Sequence, residues 1–199
     1  AQDQNTIAEA RALFAKYKEN RESVPANIAR TVLNIVAYNG GDEEYKQFLE
    51  IWKKETIPEL EKRIFNSLSS FKKPEQIDQT LKLVMSNEVR SQDGFGLLAS
   101  ELMDSESNEQ TWTFLKAHWD EVSKKFPPRS LAQIAFACRN FDTSEQENDL
   151  KTFFSSHPLS YGKAAVSRML ETVHQSVLFR QRNQAKIEKW AIDQAALLK

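Results

Sequence analysis

Five apolar residues, Trp112, Leu115, Trp119, Val122 and Phe126, follow one another at steps of three and four. That is the spacing of one face of an α-helix; a strand repeats every second residue and cannot gather these side chains. Two tryptophans on one face make it too large to leave in water. The spacing predicts a seventh helix that starts near Asn108 and stops at Pro127-Pro128, covered by other helices. Residues 87–126, which contain it, form the stretch around which the rest of the chain is expected to be organised.

The remaining sequence is punctuated in the same way. Thr6 is expected to cap a first helix carrying Ile7, Ala10, Phe14 and Tyr17. Pro25 suits the first turn of a second, which buries Ile28, Val32, Ile35 and Val36 and ends at Asn39-Gly40-Gly41. Asp42 caps a third with Tyr45, Phe48, Leu49 and Trp52 inside, and Thr56 and Pro58 open a fourth with Ile57, Leu60, Ile64, Leu68 and Phe71. Pro74 starts a fifth. Ser91 or Asp93 caps a sixth, in which Gly94 and Gly96 each weaken local propensity by up to ~1 kcal/mol unless a close neighbour needs the space.

Pro128 begins an eighth helix with Leu131, Ile134 and Cys138 inside, and Thr143 or Ser144 a ninth with Leu150, Phe153 and Phe154. After His157-Pro158 come a tenth with Val166, Met169, Leu170, Val173 and Val177, and a last helix holding Ile187, Trp190 and Ala191. Trp112, Trp119, Phe126 and Trp190 are the expected core markers. Only five Gly and six Pro speak against a turn-rich β fold. The fold class is therefore all-α, with about eleven helices in pairs that recur every ~35–40 residues, the length of an α-solenoid repeat. We expect a right-handed α-α superhelix of irregular HEAT- or armadillo-like helix pairs, one domain over residues 1–199; a compact helical bundle is the rival architecture.

Composition closes several functional classes. A net charge of −1 does not suit phosphate binding, which needs a clustered positive surplus. One cysteine, Cys138, excludes an internal disulfide, and its apolar neighbours predict a buried, inert thiol. No run reaches the ~18 apolar residues of a membrane span, and the first residue is not Met, so the chain is expected to begin partway through a longer protein. Nothing fixes the compartment. His118, His157 and His174 belong to no H-E-x-x-H pair, and Glu171-x-x-His174 occurs once where a di-metal carboxylate bundle needs two copies. No nucleophile elbow is present, and Gly94-Phe-Gly96 is too short for a phosphate loop. The chain by itself offers no catalytic or metal-ligating set.

A group of motifs carries a resemblance: Tyr38-x-Gly40-Gly41 with Glu44-Tyr45; Val89-Arg90-Ser91-Gln92-Asp93; Trp112-x-Phe114-Leu115 with Trp119; Asn140-Phe141-Asp142-Thr143; and Glu171-Thr172-Val173, Phe179 and Ile187-x-x-Trp190. In order and spacing this resembles the C-terminal helical domain of the zinc aminopeptidases of the aminopeptidase N type, including the endoplasmic-reticulum, insulin-regulated and puromycin-sensitive enzymes. The resemblance implies a helical domain with no zinc of its own, attached to an upstream catalytic domain that holds zinc through H-E-x-x-H and the peptide amino terminus through a G-A-M-E-N-like strand. It implies further that this domain walls a peptide chamber and can offer cations to the far end of a peptide substrate. Lys163 and Arg168 are the candidate peptide contacts. Arg90, Gln92 and Asp93 are expected to fix the start of the sixth helix through capping and a local ion pair. Ser176 and Phe179 stand where the pattern usually has Asn and Trp. A free-standing helical scaffold that binds a protein or peptide segment is the alternative.

Overall fold

The computed structural model describes residues 3–197, and among them every regular element is helical. The helices are α1 (Gln4–Glu19), α2 (Ala26–Tyr38), α3 (Asp42–Lys54), α4 (Pro58–Ser67), α5 (Pro74–Met85), α6 (Ser91–Met103), α7 (Asn108–Ala117), α8 (Trp119–Lys125), α9 (Pro128–Ala137), α10 (Ser144–Ser156) and α11 (Lys163–Leu197). The chain divides within α6 into two compact units, Ala1–Glu101 and Leu102–Lys199. None of the described helices is long and apolar enough to cross a membrane.

Local chemistry explains most helix starts. Pro58, Pro74 and Pro128 each occupy the first helical position, where a missing N–H costs nothing. Thr143 accepts from the Gln146 N–H at 3.2 Å while the Gln146 side chain accepts from the Thr143 N–H at 3.2 Å, closing a capping box on α10. Two caps sit beside their expected positions. Asp3, not Thr6, caps α1: its carboxylate accepts from the Asn5 N–H at 3.1 Å and from the Thr6 hydroxyl at 2.6 Å. Gly41, not Asp42, precedes α3, and its N–H donates to the Glu44 carboxylate at 2.8 Å, which holds that carboxyl below its usual range.

Two helix boundaries also differ from the sequence reading, in opposite senses. The expected seventh helix is interrupted at His118, where φ is −116° and ψ is 23°. The bonds from the His118 N–H to the Phe114 carbonyl and from the Val122 N–H to the His118 carbonyl, both 3.0 Å, span the break. The face therefore keeps its phase, and Trp112, Leu115, Trp119, Val122 and Phe126 are all buried. The expected tenth and eleventh helices instead fuse into the 35-residue α11. No Gly or Pro falls between Lys163 and Leu197 to stop it. Trp190 is a correction: it is 63% exposed, because α11 has no buried residue after Val177.

Each unit is built as stacked rows. In the first, α1 packs on α2, α3 on α4, and α4 on α2. The rings of Phe14 and Phe48 stack at 5.0 Å, and Phe48 meets Phe71 edge-on at 5.2 Å. Polar contacts between elements then follow the period. Gln76 donates to Asp42 at 3.1 Å, 34 residues away, and the Tyr45 and Thr80 hydroxyls meet at 2.8 Å, 35 away. In the second unit, Trp112 Nε1 donates to Asp149 at 2.7 Å and Asn140 to the Met103 carbonyl at 2.7 Å, both 37 residues apart. Arg180 donates to Asp142 at 2.6 Å across 38 residues. One joint recurs in detail. A 3-10 turn ends α4 at Leu68–Ser70 and α9 at Cys138–Asn140, and in each the next residue, Phe71 or Phe141, is buried and donates its N–H to the carbonyl that opens the turn.

Candidate polar groove

Lys163 opens α11 and Arg168 lies further along it; both are exposed, neither side chain has an ion partner, and neither lines either of the grooves described below. Arg168 makes no pair with Glu171. At the start of α6 the Arg90 guanidinium donates to the Asp93 carboxylate at 2.9 Å, while the carbonyl of Arg90 accepts the N–H groups of Asp93 and Gly94 at 3.0 Å. These two residues close the first turn on itself. Gln92 points elsewhere, into a groove of about 380 Å³ on the first unit.

That groove crosses three alternate helices, α2, α4 and α6. Arg30 and Asn34 lie one turn apart on α2, Lys62 and Asn66 one turn apart on α4, and Gln92 and Gly96 one turn apart on α6. The Arg30 and Lys62 side chains have no ion pair or hydrogen bond, and the amides of Asn34, Asn66 and Gln92 are likewise uncommitted. Asp93 also borders the groove, but Arg90 already occupies its carboxylate. The lining thus offers two cations and three amides that both donate and accept. Such a set suits an extended peptide, whose backbone presents N–H and C=O groups in alternation and whose free end is a carboxylate. Arg30, Asn34, Lys62 and Asn66 were missed in the sequence because they sit on the polar sides of amphipathic helices. The available signal is a basic-x-x-x-Asn spacing that recurs 32 residues on, from 30/34 to 62/66.

A second, open groove of about 1220 Å³ lies in the second unit, between the turn after α9 and α11. Arg139 lies over the Phe136 ring at 4.8 Å and donates to Met103 Sδ at 3.1 Å. Arg180 is bound to Asp142, while Arg182 has no partner. Phe179 and Ile187 supply its apolar side and are 62% and 51% exposed.

The remaining ionisable cluster is structural. Buried Glu147 on α10 accepts from Lys151 one turn on and from His174 Nδ1 of α11 at 2.9 Å. The Lys151 ammonium, helped by His174, holds the Glu147 carboxyl below its usual range. His174 is thus turned to Glu147 and not to Glu171. Among the described residues no three His, Cys, Asp or Glu side chains converge to hold a metal ion, so this set does not fit a zinc site.

Comparison with known proteins gives a consistent result. The family model described as "ERAP1-like C-terminal domain" matches residues 1–175. Aminopeptidase 2, mitochondrial, of Saccharomyces cerevisiae is 24% identical over 194 residues, which is 96% of this chain and 20% of that protein. Glutamyl aminopeptidase of Bos taurus is 24% identical over 196 residues, again 96% of this chain and 20% of its own length. Aminopeptidase M1-A of Oryza sativa subsp. japonica is 30% identical over 178 residues, 86% of this chain and 19% of that protein. The chain thus spans about 20% of the length of the curated relatives it matches.

Proposed function

The chain belongs to the ERAP1-like C-terminal domain family, and from that premise we propose that it serves as the non-catalytic helical domain of a zinc-dependent aminopeptidase. In this reading the parent enzyme removes amino-terminal residues from peptides, and this domain, a superhelix of helix pairs, closes over the catalytic part as the wall of a peptide chamber. The zinc chemistry belongs to the upstream part of the polypeptide, and no residue described here takes a role in it. The observation that carries the reading is the row of uncommitted groups Arg30, Asn34, Lys62, Asn66 and Gln92 across α2, α4 and α6. Fixed cations and amides at the spacing of stacked helices hold a peptide in register and favour a carboxylate at its far end.

Sequencing the coding DNA upstream of Ala1 tests the first half: an in-frame H-E-x-x-H and a G-A-M-E-N-like segment are expected. The second half is tested by titrating the chain with a fluorescent nonapeptide bearing either a free or an amidated carboxyl terminus. The free acid should bind more tightly. Arg30→Ala and Lys62→Ala should each remove about fivefold of that difference, since an exposed ion pair is worth up to about 1 kcal/mol. Equal affinity for acid and amide, unchanged in both variants, refutes the groove as the peptide contact.

A further inference from the structure

The long helix α11 changes its apolar face partway along. Its first half buries Met169, Val173 and Val177. Continued at 3.6 residues per turn, that face meets Arg180, Gln184 and Glu188, which are polar and exposed. Four exposed apolar residues of the second half, Phe179, Ile187, Trp190 and Leu197, lie instead on a face rotated by roughly a quarter turn, and they are 62%, 51%, 63% and 78% exposed, while Ile192 lies across the helix from them. Among the described residues none after Val177 is buried, and past Arg180 and Gln181, which bond to Asp142 and Ser144, about 24 Å of helix makes no hydrogen bond or ion pair to another element. Most helical stability in proteins comes from packing an apolar face, and this stretch packs none within its own unit. A stripe left this exposed, running from the open groove beside Arg139 and Asn140 out past Trp190, is patterned for another surface.

Charge narrows what that surface is. Arg182, Lys186 and Lys189 flank the stripe on the side away from the core face. Lys189 pairs with Asp193 at 2.9 Å, whereas Arg182 and Lys186 have no partner. A cover that matches both features is an apolar patch edged by carboxylates. The aligned stretch reaches 96% of this chain in relatives of which it forms 20%, so a large body of polypeptide is the available source. We propose that the second half of α11 is a docking element for the upstream part of the same polypeptide, with Phe179, Ile187 and Trp190 as its apolar contacts and Arg182 and Lys186 facing carboxylates at the rim. This rests on reading the chain as the C-terminal domain of a longer enzyme.

The test is hydrogen exchange read by mass spectrometry on the 199-residue chain and on the polypeptide extended upstream in its own reading frame. In the chain alone, amides of residues 180–197 should exchange at nearly the unprotected rate. In the extended polypeptide they should be slowed at least a hundredfold. Trp190→Asp, and separately Arg182→Glu with Lys186→Glu, should restore fast exchange there and leave the protection of residues 163–177 unchanged. An extended polypeptide that hydrolyses aminoacyl anilides while residues 180–197 stay unprotected overturns the docking proposal and leaves the functional reading standing. Protection without hydrolysis does the reverse. Protection in the chain alone that grows with concentration and tracks a doubled mass assigns the stripe to a second copy and overturns the proposal.

Discussion

Replacing Gly162 by alanine should be among the most destabilising single-methyl changes in this chain. Gly162 sits just before α11 at φ +92°, and its carbonyl accepts the first turn's N–H groups from Ala165 at 2.8 Å and Val166 at 3.2 Å. A Cβ built there would lie 2.4 Å from Ala132 Cβ on α9, a contact no real pair of carbons tolerates. The left-handed backbone costs an L-residue about 1–2 kcal/mol, and forcing a methyl into filled space adds about 1–3 kcal/mol. The sum, roughly 2–5 kcal/mol, corresponds to a fall of about 5–15 °C in Tm for a chain of this length. The assay is thermal and urea unfolding followed by far-ultraviolet circular dichroism and tryptophan emission. Trp112, Trp119 and Trp190 report on the second unit, where the loss should appear, and Trp52 on the first. Adding Ala132→Gly removes the clashing atom but not the backbone cost. The double variant should therefore recover at least about 1 kcal/mol relative to the sum of the single changes. A Gly162→Ala protein within about 0.5 kcal/mol of the parent, or strict additivity with Ala132→Gly, refutes the reasoning.

Gly96→Ala should move the other way. No atom lies within 4 Å of a Cβ built on Gly96, so the change should raise the Tm of the first unit by the worth of about 0.5–1 kcal/mol. Glu147→Gln should lower the stability of the second unit by roughly 1 kcal/mol, a modest figure because Lys151 and His174 are half exposed. Its pH dependence has a definite sign. A carboxyl held below its ordinary value of 4.5 stabilises above that value and loses the contribution as pH falls through the folded-state pKa. Melts from pH 7 down to pH 3 should therefore show the gap between parent and variant closing below about pH 4.5. Cys138 is fully buried and its thiol is pushed well above the usual range by desolvation. It should react with a disulfide reagent at pH 8 only in denaturant, and rapid labelling of the folded chain would disprove this.

What could be read in the sequence was whatever depends on periodicity and local chemistry. Trp112, Leu115, Trp119, Val122 and Phe126 declared their face, and Pro58, Pro74, Pro128 and Thr143 declared their helix starts. The break at His118 was hidden because hydrogen bonds span it and the apolar spacing is unchanged. Fusion of the last two helices was hidden because the change of face near Val177 reads as a new helix. Gly40 was read as a helix terminator for its conformational freedom, yet no residue near it has positive φ. Its reason is spatial: a Cβ there would lie 2.9 Å from the Phe71 ring and 2.8 Å from the Val36 carbonyl. That is a contact across 31 residues, which no local rule can supply. The candidate groove was hidden for the same reason. Each of its side chains looks like an ordinary solvated position on its own helix, and only stacking brings them together.

Two of the motifs that carry the family resemblance prove to be joints of the fold. Asn140 binds the Met103 carbonyl, Phe141 turns its ring edge to Trp112 at 6.3 Å, Asp142 holds Arg180, and Thr143 caps α10. In Tyr38-x-Gly40-Gly41 with Glu44-Tyr45, Gly40 makes room for Phe71, Glu44 closes the first turn of α3, and Tyr45 reaches Thr80. A motif of this kind identifies the scaffold because it fixes how one helix pair meets the next. It carries no information about what the scaffold holds. Groups that could meet a ligand, such as Arg30 and Lys62, lie outside these joints, free of any structural partner. A substitution at a joint should therefore move Tm and leave peptide selectivity in place. A substitution at Arg30 or Lys62 should do the opposite, and finding the two effects exchanged would mean that the groove is only surface.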